Sequence, residues 1–232
     1  VNAPRLIASY FGTDQYERMA RVLRYSAERH CPDWDIRVEA IVPPKMRSAL
    51  HNQGHVENTQ KMEHWASAVA SAHDSDRLLL MDADTMVLRP LDALWELEFD
   101  LAYTTRTGVR LPFNSGVVAV RVSEPLRQFV TAWRDEQVRM LTDASYHRHF
   151  RDRFGGINQA ALGAMFTRHT QHIRILALPC LEWNCKSELR RSIFSNVAVS
   201  RALRPLVDAW RSIETASQDA CRGPCEAAAK SG

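Results

Sequence analysis

Asp82 and Asp84, one residue apart behind the run Leu78-Leu79-Leu80-Met81, are the residues of this chain best suited to chemistry. Four consecutive apolar residues after a charged turn read as a strand buried on both faces, the pattern of a mostly parallel sheet covered by helices on both sides. Alternate residues of an extended chain project the same way. The pair can therefore aim hard oxygen ligands at one divalent cation, which can in turn hold a substrate's phosphates. The competing reading is ordinary: most loop aspartates cap helices or shape turns. Ligands of open α/β sheets collect at the carboxyl ends of strands, where this pair sits.

The elements that must position it follow from periodicity. Residues 6–11 form a short apolar run ending at Gly12, with Asp14 suited to cap a helix whose apolar positions Tyr16, Met19, Ala20, Leu23 and Ala27 share one face. That helix stops before Pro32. Residues 34–42 alternate as a second strand, and Pro43-Pro44 opens a polar stretch, through about Asn58, expected as loop or irregular helix. Residues 59–72 carry Met62, Trp65, Ala66 and Val69 at helical spacing and lead directly into the carboxylate strand, which is expected to run on through residue 88. Beyond Pro90 come a short helical segment, a brief strand at 100–104 and an apolar strand at 113–122 interrupted by Asn114-Ser115-Gly116. A helix at 125–141, another at 158–166 behind Gly155-Gly156, a strand at 173–178 and mostly helical character over 188–213 complete the pattern, with a tail after it. Strands and helices alternate, so the fold class is α/β with a mixed, mostly parallel sheet in a single domain.

A chain of 232 residues with 45% hydrophobic content can build one sizeable core. No stretch approaches the roughly 18 apolar residues of a membrane span, and the N-terminus lacks a secretory pattern, so a cytoplasmic protein with no transmembrane segment is expected. Five scattered cysteines give neither a disulfide framework nor CxxC pairs. A net charge of +3 does not argue for nucleic acid on its own, although its cations are almost all arginine. The segment 147–153, with Arg148, Arg151 and Arg153, is the best local candidate for recognising an anion.

Two enzyme classes use a hydrophobic strand ending in Asp-x-Asp. The phosphatases of the haloacid dehalogenase type match Asp82-Ala83-Asp84-Thr85 literally, with Asp82 as nucleophile. They also need a downstream lysine and further acidic metal ligands; no Asp-Asp pair follows, and only Lys186 and Lys230 remain. The second match is broader. Residues 59–65 (Thr-Gln-Lys-Met-Glu-His-Trp), 79–88 and 90–95 resemble one continuous block of the glycogenin-like group, glycosyltransferase family eight. Phe113-Asn114-Ser115-Gly116-Val117 resembles that group's next motif, Gly155-Gly156-Ile157-Asn158-Gln159 its third, and Leu178-Pro179 with Trp183-Asn184 the strand that follows. In order and at the right spacing they cover residues 5 to 185.

This resemblance implies the GT-A fold over 1–187, a helical extension over 188–232, and transfer of a sugar from a nucleoside-diphosphate donor, a UDP-sugar first among them, with retention of configuration. It implies Mn²⁺ or Mg²⁺ on Asp82 and Asp84 against the diphosphate, with Lys61 as a second cation. Tyr10, Phe11, Thr13 and Tyr16 correspond to the nucleobase pocket, Ala83 to the loop beside the donor, and Asn114, Ser115 and Gly116 to the donor sugar. Asn158 and Gln159 correspond to the residues at the anomeric carbon, so that Gln159, Asn158 and Asn114 become the catalytic candidates. The chain departs from the group twice. Asn158 stands where Asp is usual, and no histidine follows His172 to complete the metal shell, leaving water, diphosphate oxygens or a residue such as Glu188 or Asp208; Cys185 suits such a metal poorly. Loss of activity with retained donor binding is the non-enzyme alternative. The acceptor is open among glycan, protein, lipid-linked sugar and a modified DNA base, with Arg148, Arg151, Arg153, Trp183 and Asn184 as its candidate contacts.

Overall fold

The computed structural model describes residues 2–42, 52–105, 112–168, 172–186 and 199–201. Strand β1 (Arg5–Phe11) leads through α1 (Asp14–His30) to β2 (Asp35–Ile41), and α2 (Gln53–Ser71) leads to β3 (Arg77–Asp82). The short β4 (Thr85–Val87) and a 3₁₀ turn (Asp92–Glu96) precede β5 (Leu101–Thr105) and β6 (Phe113–Arg121). Three helices follow, α3 (Glu124–Thr142), α4 (Ala144–Phe154) and α5 (Ile157–Arg168), then β7 (Ile175–Pro179), α6 (Cys180–Trp183), β8 (Cys185–Lys186) and β9 (Val199–Arg201).

The main sheet has the order β2-β1-β3-β6-β5-β7. β1 runs parallel to β2 and β3, β5 runs parallel to β7, and β6 is antiparallel to β3 and β5. Its centre is dry. Leu78 and Leu80 face the cluster under α2, α3 and α5, while Leu79 and Met81 face the cluster under α1 and the 3₁₀ turn. All four are at most 1% exposed, which is the two-faced burial their unbroken apolar run demands. On the first face Trp65 of α2 meets Trp133 of α3 edge to face at 6.5 Å. The Trp133 indole N–H donates to the Asn158 carbonyl at 3.2 Å, fixing the start of α5.

Four local expectations are corrected. The polar stretch expected as loop is helical from Gln53, because the Asn52 side chain accepts from the Gly54 N–H at 3.0 Å and caps α2 there. The carboxylate strand does not run on to 88. It ends at Asp82 in a turn whose Thr85 hydroxyl donates to the Asp82 carbonyl at 2.6 Å, and β4 joins a separate small sheet with β9 and β8. Asn114-Ser115-Gly116 lies inside β6; the pairing with β5 jumps there, from Tyr103 opposite Val118 to Thr104 opposite Asn114. Val199–Arg201, expected as helix, is a strand paired antiparallel to β4, and the rest of 188–232 lies outside the described residues. Among the described residues no helix is long and apolar enough to cross a membrane.

Two aromatic rings hold α5 to β6. Phe113 of β6 stacks on Phe154 at 5.1 Å and 7°, and Phe154 lies over Gly163, where an added Cβ would come within 2.3 Å of its ring. Gly163→Ala is expected to destabilise the fold by about 1–3 kcal/mol, because the overpacked ring outweighs alanine's helix preference of about 1 kcal/mol. A lower urea midpoint with an unchanged slope would register it.

Candidate functional site

Glu39, Ser9 and Asp82 are register partners across β2, β1 and β3, one polar row just above the last apolar one. All three side chains meet the same helix. Lys61 of α2 is buried against Trp65, with its ammonium 4.6 Å from the ring centroid, and forms an ion pair with Asp82 Oδ1. One turn on, His64 takes a short hydrogen bond with Ser9 Oγ through Nδ1 and meets Glu39 Oε2 through Nε2 at 3.1 Å.

Above this row lies a groove with two chambers. The first, of about 140 Å³, is lined by Tyr10, Phe11 and Tyr16 at one end and Lys61, Asp82, Ala83 and Asp84 at the other, with Ser9, Glu57 and Asn58 between. The second, of about 320 Å³, is lined by the start of α2, by Asn114 and Ser115, and by Ile157, Asn158 and Gln159 of α5. Asn58, Lys61 and Asp82 line both and form the waist.

Three local devices shape it. Gly155 closes α4 at φ 92°, a left-handed conformation that favours glycine, and so turns the chain into α5 with Asn158 and Gln159 at the chamber wall. At Gly116 an added Cβ would lie 2.8 Å from Asp82 Oδ2 and 3.0 Å from Asn184 Nδ2, so glycine gives the carboxylate its room. Gln159 donates to the Phe113 carbonyl at 3.0 Å and Asn114 Oδ1 accepts from the Gly116 N–H at 3.1 Å. Asn158 differs. It is 4% exposed, and neither atom of its side-chain amide has a hydrogen-bond partner, an expensive state for a buried amide unless a ligand supplies partners.

The structure thus brings Tyr10, Phe11, Tyr16, Lys61, Asp82, Ala83, Asp84, Asn114, Ser115, Asn158 and Gln159 to one groove, with Gly116 behind it. Thr13 is elsewhere, capping α1 by accepting from the Tyr16 N–H. Trp183 is packed into the core beneath the sheet, and Asn184 is 1% exposed with its amide donating to Thr104 Oγ1 at 3.3 Å, which takes both off the groove wall. Arg148, Arg151 and Arg153 sit exposed on α4, a helix the sequence pattern does not signal; Arg151 pairs with Asp152 and Arg153 covers Phe154. Sequence reasoning missed Ser9, His55, Glu57 and Asn58, the last three because it started α2 too late.

Asp82 at the end of β3 and Asp84 in the turn that follows offer an all-oxygen donor set to one chamber, a set that suits a hard divalent cation, with the Lys61 ammonium already lying on one of the four oxygens. Among the described residues no three His, Cys, Asp or Glu side chains stand close enough together to hold one metal ion, and Glu188 and Asp208 lie outside those residues.

On the wall of the second chamber His55 meets the buried His147 edge to face at 5.0 Å. Burial, then His55 and Arg151, push His147 down to about 4; burial and then Arg151 also lower His55. The folded state of His147 therefore binds its proton less readily than the unfolded chain, whose value is about 6.5. Its stability contribution is complete above that value and is lost as pH falls toward 4, by about 2 kcal/mol at pH 5. Urea unfolding at pH 7 and pH 5 should show this loss, and His147→Gln should flatten it. At the waist, Gly116→Ala is expected to destabilise the fold by about 1–3 kcal/mol, because the added methyl would crowd the Asp82 carboxylate that pairs with Lys61, and a lower urea midpoint with an unchanged slope would register it.

No family model and no curated protein sequence matches the chain. Solved structures do. The chain shares its fold with a glycosyltransferase involved in glycosylation of the major capsid of PBCV-1, at 13% identity, TM-score 0.64, and coverage of 91% of this chain and 99% of that one. It matches the apo form of glycosyltransferase GlyE from Streptococcus pneumoniae TIGR4 at 13% identity and TM-score 0.59 over 91% of this chain, spanning 60% of GlyE's length. Mouse xyloside xylosyltransferase 1 follows at 13% identity, TM-score 0.52, with 88% and 99% covered. The architecture is the GT-A glycosyltransferase fold.

Proposed function

We propose that this protein is a metal-assisted glycosyltransferase that takes a sugar from a nucleoside-diphosphate donor, with UDP as the leading nucleotide, and passes it to an acceptor hydroxyl. The observation that carries this reading is the order of chemistries along the groove. Aromatic rings at Tyr10, Phe11 and Tyr16 suit a base, the charged waist suits a diphosphate, and the amides of Asn114, Asn158 and Gln159 suit sugar hydroxyls. A nucleotide sugar has these parts in this order. The shared fold supports the same reading and speaks for it over the phosphatase alternative.

Asp82 and Asp84 would hold Mn²⁺ or Mg²⁺, which when bound neutralises charge developing on the leaving diphosphate. Lys61 contributes a second positive charge from a buried position, where it acts more strongly than in water. Asn158 brings an unsatisfied donor and acceptor to the sugar, and Gln159, held by the Phe113 carbonyl, presents its amide oxygen beside it. That oxygen is weakly basic and suits stabilising positive character at the anomeric carbon in a retaining transfer. For the acceptor, the exposed arginines of α4 suit an anionic molecule.

A thermal-shift panel of nucleoside diphosphates and nucleotide sugars, with and without Mn²⁺, tests this. UDP with Mn²⁺ at about a hundredfold excess over its Kd should raise the Tm by roughly 5 °C or more, and Asp84→Asn should abolish the metal-dependent part. A panel in which only phosphorylated small molecules register would overturn the proposal in favour of a phosphatase.

A further inference from the structure

The Ser9, His64 and Glu39 chain serves none of the roles assigned so far, yet Ser9 lines the first chamber. From its geometry we infer that Ser9 is a specificity-determining residue of the donor site, held by His64 and Glu39 as an oxygen that accepts hydrogen bonds from the nucleoside and donates none to it. This rests on the donor-site reading above and deepens it.

Glu39 is a carboxylate and only accepts, so the hydrogen bond at 3.1 Å requires the proton on His64 Nε2. In the neutral imidazole Nδ1 then carries a lone pair, and the short contact with Ser9 Oγ is made by the serine proton. With its single proton committed, Ser9 Oγ turns only lone pairs toward the chamber. Ser9 is 4% exposed, so water is a poor substitute partner, and a ligand that meets this oxygen with another acceptor leaves both unpaired. The matching ligand group is an N–H or O–H. A nucleoside has two sources of one, an imide N–H on the base and a ribose hydroxyl.

The same three residue types suggest a nucleophilic serine, but the surroundings do not suit one. Asp82, Asp84 and Glu57 line the chamber with Ser9, and three carboxylates would repel the oxyanion that acyl transfer must stabilise. Their charge is compatible with a serine that only receives hydrogen bonds. The register explains how such an oxygen is held still: Ser9 and Glu39 are strand neighbours, and His64 bridges them from α2, one turn from the Lys61 that grips Asp82.

Calorimetry of the full chain with Mn²⁺ against UDP, CDP and 2′-deoxy-UDP tests the inference. The wild type should bind UDP at least tenfold tighter than one analogue: CDP if the base supplies the proton, 2′-deoxy-UDP if the ribose does. Ser9→Ala should weaken UDP five- to tenfold and leave that analogue unchanged or improved, closing the gap. Glu39 is half exposed, so Glu39→Ala is tolerated by the fold and should narrow the gap, while Glu39→Gln, whose amide oxygen still accepts from Nε2–H, should restore it. Nitrogen-15 NMR should find the His64 proton on Nε2. Equal losses for all three nucleotides in Ser9→Ala, unchanged UDP binding, or a proton on Nδ1, with or without one on Nε2, would overturn this inference and leave the donor site standing. A wild type that binds none of the three would remove both.

Discussion

The ion pair between Lys61 and Asp82 is the constraint around which the site is arranged. Lys61 is 6% exposed and Asp82 partly buried, so removing one partner would leave the other charge poorly solvated and unpaired. That requirement ties α2 to the end of β3. Once α2 is fixed there, its spacing carries His64 over Ser9 and Glu39 one turn further and sets His55, Glu57 and Asn58 along the groove in the other direction. Beneath the pair, the same helix seals the core with Met62, Trp65 and Val69. One helix both closes the hydrophobic interior and lays down the polar floor of the cleft.

The opposite wall is built by close approach. β6 departs from regular pairing with β5 at Asn114, which frees Asn114 and Ser115 to face the second chamber while Gly116 makes room for Asp82. α5 is delivered to the same chamber by the Gly155 turn, the Trp133 hydrogen bond and the stack of Phe113 on Phe154. These contacts fix Gln159 and Asn158 from different sides. Gln159 has committed one amide N–H to the Phe113 carbonyl, whereas the Asn158 side chain is held in place with its own hydrogen-bonding capacity unspent.

Much of this was legible from residue order alone, for definite reasons. A strand such as Leu78-Leu79-Leu80-Met81 admits one environment, buried on both faces, and helices with one apolar stripe admit one orientation. What escaped depended on local hydrogen bonds or on partners far apart in the chain. Asn52 as a cap preceding a glycine gives little periodic signal, so the first turn of α2 and the groove residues it carries stayed hidden. α4 packs only His147, Phe150 and Phe154 inward, too sparse a stripe to stand out among its arginines. The turn after Asp82 hangs on one threonine hydroxyl, and Ser9 reads as one more small strand residue until a helix 55 residues away supplies its partner.

The charge of the groove bears directly on what can enter it. Glu57, Asp82 and Asp84 set three carboxylates against one ammonium, Lys61, among the residues lining the first chamber. A diphosphate entering that chamber by itself meets net repulsion, and burial magnifies it because the low-dielectric walls screen less than water does. In the proposed function a divalent cation held by Asp82 and Asp84 would reverse the sign at this end of the groove, with Lys61 as a second positive charge beside it. Under the proposed function the lining charges call for a cation beside the diphosphate, while a neutral sugar beyond the waist would meet amides that suit hydroxyls whether or not the cation is present. The groove thus joins a charged chamber to an amide-lined one, and Lys61 and Asp82, which line both, stand at the boundary between them.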